Sequence, residues 1–323
     1  MSKPRPPIAL EDVFESPSRI EELLECGGPY WPTMRYVATG AELQAVGGAY
    51  GGSRSAGTIP VAPWFRADWV DGDTLLPGAE AIRDHAGLAE AARALFGAEF
   101  VRPRHVYVNL MTPIRQAGQP HVDVPQFRGM DRSRAPVWLL HCMARSGLFE
   151  RWRVRIATAV VWFYEGPGGE FDYWPEGPAG LPRRAPAATN TALMGDNDSM
   201  FHRVGPVGEP ESVFPGELSL EAELCAAAPG RWEIRERGKS LAEYGRRQVR
   251  ASVSWKAEVL ADAAECALLD EHRDDLDPGE VAARFAADVS ARGLEPVRPS
   301  DPLSDPRFVA QLNQVYPPVP PEA

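Results

Sequence analysis

Two polar residues stand two apart among valines in QPHVDVPQFRG, residues 119–129. In an extended strand successive side chains point to opposite faces, so His121 and Asp123 share one face and Val122 and Val124 the other. An imidazole and a carboxylate side by side can hold a divalent metal. With a second imidazole they form the facial triangle, open on its far side, that suits a non-haem iron. The pattern is common by itself, and the chain holds a second copy, His272 and Asp274 in DEHRDD. That copy lies in a charged, helix-like stretch, where positions i and i+2 diverge around the axis, and it reads as solvated surface. The second imidazole is sought at His202 in MGDNDSMFHRVGPVG, beside Met200, Phe201 and Val204 and just before a turn signal.

The elements that must position these residues follow from periodicity. RHVYVNLM at 104–111 alternates, with His105, Tyr107 and Asn109 on one face and Val106, Val108 and Leu110 on the other. VRIATAVVWFYEG at 154–166 reads as a buried strand, and EFDYWPEG, NTALMGD and FHRV as short strands or strand ends. In QVRASVSWKAEV at 248–259, Arg250, Ser252, Ser254 and Lys256 oppose Val249, Ala251, Val253 and Trp255. Helices are predicted at SPSRIEELLECGG, where Ser16 can cap and Pro17 suits the first position, and at 77–97 as one helix or a broken pair ending at Gly97. Two more are predicted after residue 260, broken near Asp277–Pro278, and GGAYGGSRSAG at 47–57 reads as a mobile loop. The fold class expected is mainly β with flanking helices (α+β), with a jelly-roll core. Three regions form one compact unit: 1–103, helix and loop packing on the core; 104–257, the core; and 258–323, helices and an extended tail.

Composition narrows the partners. The chain has 323 residues, 44% hydrophobic and 24% charged, so a sizeable core needs no disulfide staples. A net charge of −11 argues against nucleic acid or an anionic membrane as partner. The four cysteines are scattered without a C-x-x-C, no apolar leader follows the first residues, and the run IATAVVWFY is too short to span a bilayer. A cytoplasmic protein acting on a small molecule is expected.

The order of motifs is more specific than any one of them. H-x-D at His121 and Asp123, GGEF at 168–171, HRVGPV at 202–207 and VRASVSW at 249–255 together resemble the Fe(II)/2-oxoglutarate-dependent oxygenases, closest to their prolyl-hydroxylase-like branch. The resemblance spans roughly 104–257. It implies a double-stranded β-helix core of cupin-like type, and it implies Fe(2+), 2-oxoglutarate and O2 as cofactor and cosubstrates. By the same resemblance His121, Asp123 and His202 would hold the metal. Arg250 would pair with the distal carboxylate of 2-oxoglutarate and Ser252 would donate to it, while Tyr107 and Asn109 line the same cavity. The implied reaction is hydroxylation or desaturation.

One departure is the 48-residue separation of His202 and Arg250, which places an insertion at about 208–246, read as a lid or partner surface. Arg155 and Lys256 are the fallback anchors. A local excess of arginine, eight between 115 and 155, is usually a solvated face but can also meet an anionic substrate. Arg115, Arg128 and Trp174 are the candidate substrate contacts. Two alternatives stand beside this reading: a cupin-like metalloenzyme with no use for 2-oxoglutarate, and a non-catalytic β-sandwich binding protein in which the three ligands never meet.

Overall fold

The computed structural model describes residues 3–37 and 61–321; the predicted loop at 47–57 lies outside them. Strands run in chain order as β1 (Ile8–Leu10), β2 (Trp31–Pro32), β3 (Trp64–Asp71), β4 (Thr74–Leu75), β5 (Phe100–Met111) and β6 (Gln126–Phe127). They continue as β7 (Arg153–Phe163), β8 (Phe171–Tyr173), β9 (Arg183–Ala185), β10 (Thr191–Gly195) and β11 (His202–Val204). The last are β12 (Glu223–Ala228), β13 (Arg231–Glu236), β14 (Lys239–Gly245) and β15 (Arg250–Leu260). A large antiparallel sheet has the order β1-β10-β7-β15-β5-β3-β2, and a small one the order β11-β8-β9.

The chain alternates between these sheets. From β5 it crosses to a segment around His121 that bridges β11, then returns to β7 in the large sheet. It crosses again to β8 and β9, returns to β10, crosses to β11 and finally enters β15 between β7 and β5. That winding is a double-stranded β-helix, and it agrees with the mainly β fold expected. Helices flank it: α1 (Pro17–Cys26), α2 (Glu80–Arg83), α3 (Ala86–Phe96), α4 (Val137–Ser146), α5 (Ala263–Asp270), α6 (Pro278–Ala291) and α7 (Pro306–Val315). The predicted break at Asp277–Pro278 is an N-terminus: the Asp277 side chain accepts from the Glu280 amide, and Glu280 reciprocates in a capping box. Between α2 and α3 the chain breaks at Asp84, and α3 stops at Gly97 with φ +62°.

Alternation, interrupted by irregularities at Lys256–Ala257 and Asp68–Val70, divides the large sheet into two faces. Outward-facing Val106, Val108, Leu110, Val253, Trp255 and Val259 are buried with Ile20, Leu24, Leu88 and Phe96 of the flanking helices. Full burial contributes about 1.5–3 kcal/mol for each large apolar side chain. The Trp255 indole also donates to the Arg83 carbonyl at 2.8 Å, fixing α2 to the sheet. The inner face carries Trp162, Val160 and Met111, packed against Phe171, Val204 and Val207 of the opposing layer. Trp162 and Phe171 have ring centroids 5.7 Å apart. A third cluster joins α4, α6 and α7 around Phe285 and Phe308.

Several elements differ from the sequence reading, among them the helices α4 and α7, which were not predicted. The N-terminal region also supplies strands, of which β3 pairs with β5 along most of its length. The stretch 208–246 contains the antiparallel meander β12-β13-β14. Its Leu224, Trp232, Ile234 and Tyr244 join the outer-face core, and Leu224 exchanges backbone hydrogen bonds with Tyr30. It packs behind the large sheet, in a stretch that was expected to be a lid or a partner surface. The H-x-D stretch is not a regular strand, because Pro120 and Pro125 bracket it and lack the amide that would extend a ladder.

Candidate metal centre

Main-chain hydrogen bonds bring the three candidate ligands together. His121 and His202 form an isolated antiparallel bridge, His121 N donating to His202 O at 3.0 Å and His202 N to His121 O at 2.9 Å. Asp123 N donates to Asn197 O at 2.9 Å, so the loop after β10 completes what the prolines interrupt. One ligand atom from each of His121, Asp123 and His202 lies within 4.8 Å of the others. The β-sandwich alternative, in which they never meet, therefore does not describe this chain.

The tautomers suit a metal. His121 Nδ1 donates to Gln119 O at 2.9 Å and His202 Nδ1 to Met200 O at 3.0 Å, which leaves both Nε2 lone pairs free. Phe171 stacks on His202 with centroids 5.3 Å apart, fixing the ring. Burial pushes His121 down to about 4, so its imidazole is neutral at physiological pH. Burial also pushes the Asp123 carboxyl up, but the Lys256 ammonium outweighs it and holds the acid well below the usual carboxylate range. Two imidazoles and one carboxylate are an apt donor set for iron(II).

On the same inner face, β15 presents Arg250, Ser252, Ser254 and Lys256 in a row. Ser252 lies opposite Asn109 of β5 and Trp162 of β7, and Ser254 opposite Tyr107. Arg250 is 1% exposed, and its Nε donates to Gly169 O at 2.6 Å. Its Nη2 is buried without a hydrogen-bond partner, and it pairs with no carboxylate among the described residues. Burial pushes the guanidinium down to about 10, still charged at neutral pH. Gly169 makes room for it: a Cβ there would sit 2.7 Å from Arg250 Cδ. A buried cation with an unused donor asks for an anion.

The remaining candidates are engaged elsewhere. Arg128 is 5% exposed and forks onto Asp274 at 2.7 and 2.9 Å. Trp174 is buried, with the Arg203 guanidinium 5.6 Å from its ring. Arg115 is exposed and lies over Phe214 at 4.2 Å. Arg155 pairs with Glu265, and Lys256 donates to Asp123 Oδ2 at 2.7 Å. His272, the second H-x-D histidine, is exposed and meets Asp275.

Other polar groups escaped the sequence reading. Beside Tyr107, Arg66 lies 3.8 Å over the phenol ring and donates to Asp68 Oδ1, which also meets His105 Nε2 at 2.9 Å. Alternation in WFRADWVD was the available signal for this row. His141 lies on α4, pushed down to about 3 by burial and by the charge of Arg145, with His121 contributing. Pro136 before the helix and Gly147 after it mark that element. Asp198 is 1% exposed with neither oxygen hydrogen-bonded, and burial pushes its acid up to about 7.

No family model and no curated protein matches the sequence. Among solved structures the chain is similar to AviO1 from Streptomyces viridochromogenes Tue57, 13% identical over 81% of this chain and 92% of that one, with a TM-score of 0.39. It is similar to a Pseudomonas putida prolyl-4-hydroxylase, 12% identical over 79% of this chain and 93% of that one, with a TM-score of 0.38. It is also similar to an oxidoreductase of the 2OG-Fe(II) oxygenase family from Burkholderia pseudomallei, 13% identical over 79% and 88% of the two chains, with a TM-score of 0.42.

Proposed function

We propose that this protein is an Fe(II)- and 2-oxoglutarate-dependent oxygenase that hydroxylates or desaturates a small molecule. The observation that carries the reading is the buried, anion-seeking Arg250 on the same inner face as a residue that touches the His121–Asp123–His202 triad. A carboxylate laid against Arg250 would give Nη2 its missing acceptor and balance the buried charge, and a planar guanidinium accepts a carboxylate as a fork. A cupin-like metalloenzyme without 2-oxoglutarate has no use for such a group.

His121, Asp123 and His202 would hold the iron through two Nε2 atoms and a carboxylate oxygen. Arg250 would bind the distal carboxylate of 2-oxoglutarate, with Ser252, Asn109 and Tyr107 lining the cavity. Both fallback anchors are already paired, which favours Arg250. Iron with 2-oxoglutarate and O2 supplies, when bound, the oxidising power to break a C–H bond. Trp162, Val160, Met111 and Phe171 exclude water from the interior. The half-buried row Arg66, Asp68, His105 and Tyr107 offers a substrate polar contacts, a role that Arg128 and Trp174 are too enclosed to fill. No helix among the described residues is long and apolar enough to cross a membrane. Four free thiols support a reducing, cytoplasmic setting.

The test is a screen of metabolites with the iron-loaded protein. A substrate would couple succinate release to a product heavier by one oxygen atom or lighter by two hydrogens. Anaerobic Fe(II) protein that gives no charge-transfer band with 2-oxoglutarate would move the assignment to the cupin-like alternative.

A further inference from the structure

Asp123 is held at three points. Its amide donates to Asn197 O at 2.9 Å, its Oδ2 accepts from Lys256 Nζ at 2.7 Å, and its Oδ1 faces His202 Nε2 at 3.6 Å. Lys256 extends from the inner face of β15, between its register partners His105 on β5 and Thr158 on β7. Both side chains of the pair are mostly enclosed, at 17% and 16% exposure. The ammonium therefore takes one carboxylate oxygen and leaves the other turned toward the imidazoles. A carboxylate without such a partner can bind a divalent ion through one oxygen or through both.

We propose that Lys256 is a positioning residue for the metal centre: it occupies Asp123 Oδ2 so that Oδ1 alone is offered to the metal, which keeps one more coordination position open. The proposal rests on the reading of His121, Asp123 and His202 as a metal site. It accounts for a lysine in an enclosed cavity that is to receive a cation, where its charge otherwise opposes binding. A partner to the outer oxygen of a ligating carboxylate fixes which lone pair faces the metal, as hydrogen-bonded partners of metal ligands do generally.

Mn(II) tests this without turnover. Water-proton relaxation reports how many exchangeable waters each bound Mn(II) carries. An octahedral ion held by two imidazoles and one carboxylate oxygen keeps about three waters, and about two if the carboxylate binds through both oxygens. Lys256→Met, which keeps the length and removes the ammonium, should lower the relaxation enhancement per bound Mn(II) by about a third, because Asp123 is then free to use both oxygens. An unchanged enhancement at saturation would overturn the proposal, since a merely structural lysine would not alter hydration of the ion. Should the variant fail to fold, a crystal structure of the Mn(II)-loaded native chain decides: Oδ2 on Lys256 and off the metal upholds the proposal, and both oxygens on the metal overturn it. Native protein that binds no Mn(II), or binds it equally well with His121→Ala and His202→Ala, overturns the metal-site reading itself and this proposal with it.

Discussion

His121 and His202 hydrogen-bond to each other twice through the main chain, each amide donating to the other's carbonyl. The spacing of the two residues is thus set by backbone pairing and survives loss of either ring. His121→Ala and His202→Ala should each abolish Fe(II) binding in anaerobic titration while leaving a folded protein by circular dichroism. His272→Ala should bind normally, because that ring is exposed and remote in role. Loss of binding in the His272 variant would mean that the wrong H-x-D had been taken.

Arg250→Ala removes a buried charged partner from the cosubstrate. Loss of such a pair costs about 2–5 kcal/mol, or roughly thirtyfold and upward in the 2-oxoglutarate concentration needed to develop the charge-transfer band. An unchanged requirement would place the anchor elsewhere.

Gly169 has φ +72°, and a Cβ there would press on Arg250 Cδ. Gly169→Ala should therefore imitate Arg250→Ala, raising the 2-oxoglutarate requirement without replacing any group that binds it, and should lower the melting temperature as well. A variant with native 2-oxoglutarate affinity would show that Arg250 has room to move.

Asp198 carries a pH signature. Its acid is raised by burial from an ordinary 3.8 to about 7, so between those values the folded protein holds a proton that the unfolded chain has lost. The native state then loses stability as pH rises through that window, by up to about 1.4 kcal/mol per pH unit, and the loss levels off above it. Asp198→Asn does not titrate. The difference in melting temperature between variant and native protein should grow in the variant's favour from pH 4.5 to pH 8, and a pH-independent difference would refute the assignment.

Arg128 tests the idea of an anionic substrate held by the arginine-rich segment. Its guanidinium is committed to Asp274 and to the Arg151 carbonyl. Arg128→Ala should cost stability, about 1.5–3 kcal/mol for a lost hydrogen bond to a charged partner, and should leave KM for the substrate near native. A large rise in KM with unchanged stability would restore Arg128 as a substrate contact.

Much of the site was legible because alternation is a strong signal. Arg250, Ser252 and Lys256, and Tyr107 with Asn109, were placed on one face from period two alone, and the structure has them there. Residue type made His121 and Asp123 candidates, although the strand invoked to align them is only a bridge. What period cannot give is the partner across space. Lys256 was read as a spare cosubstrate anchor, and only folding shows it against Asp123. Alternation in WFRADWVD was masked because aromatic residues fall on both faces, with Trp64 on one and Phe65 and Trp69 on the other. The meander of β12 to β14 was hidden in a stretch defined only by what it separated. Its hairpin turns at Pro229–Gly230 and Arg237–Gly238 were the unused cue.

β15 has a consequence for how this gene can vary. Its odd and even positions do unrelated work, one set holding the outer core and the other facing the chamber, so the strand behaves like text with a reading frame. Exchanges of single residues within one set are graded in effect. Deleting one residue between Arg250 and Lys256 would instead swap the two sets for part of the strand, sending valine or tryptophan toward Asp123 and serine or lysine into the core. Insertions and deletions should therefore be excluded from β15 far more strictly than substitutions, while the stretch 209–217, which holds no buried residue, can change length at less cost.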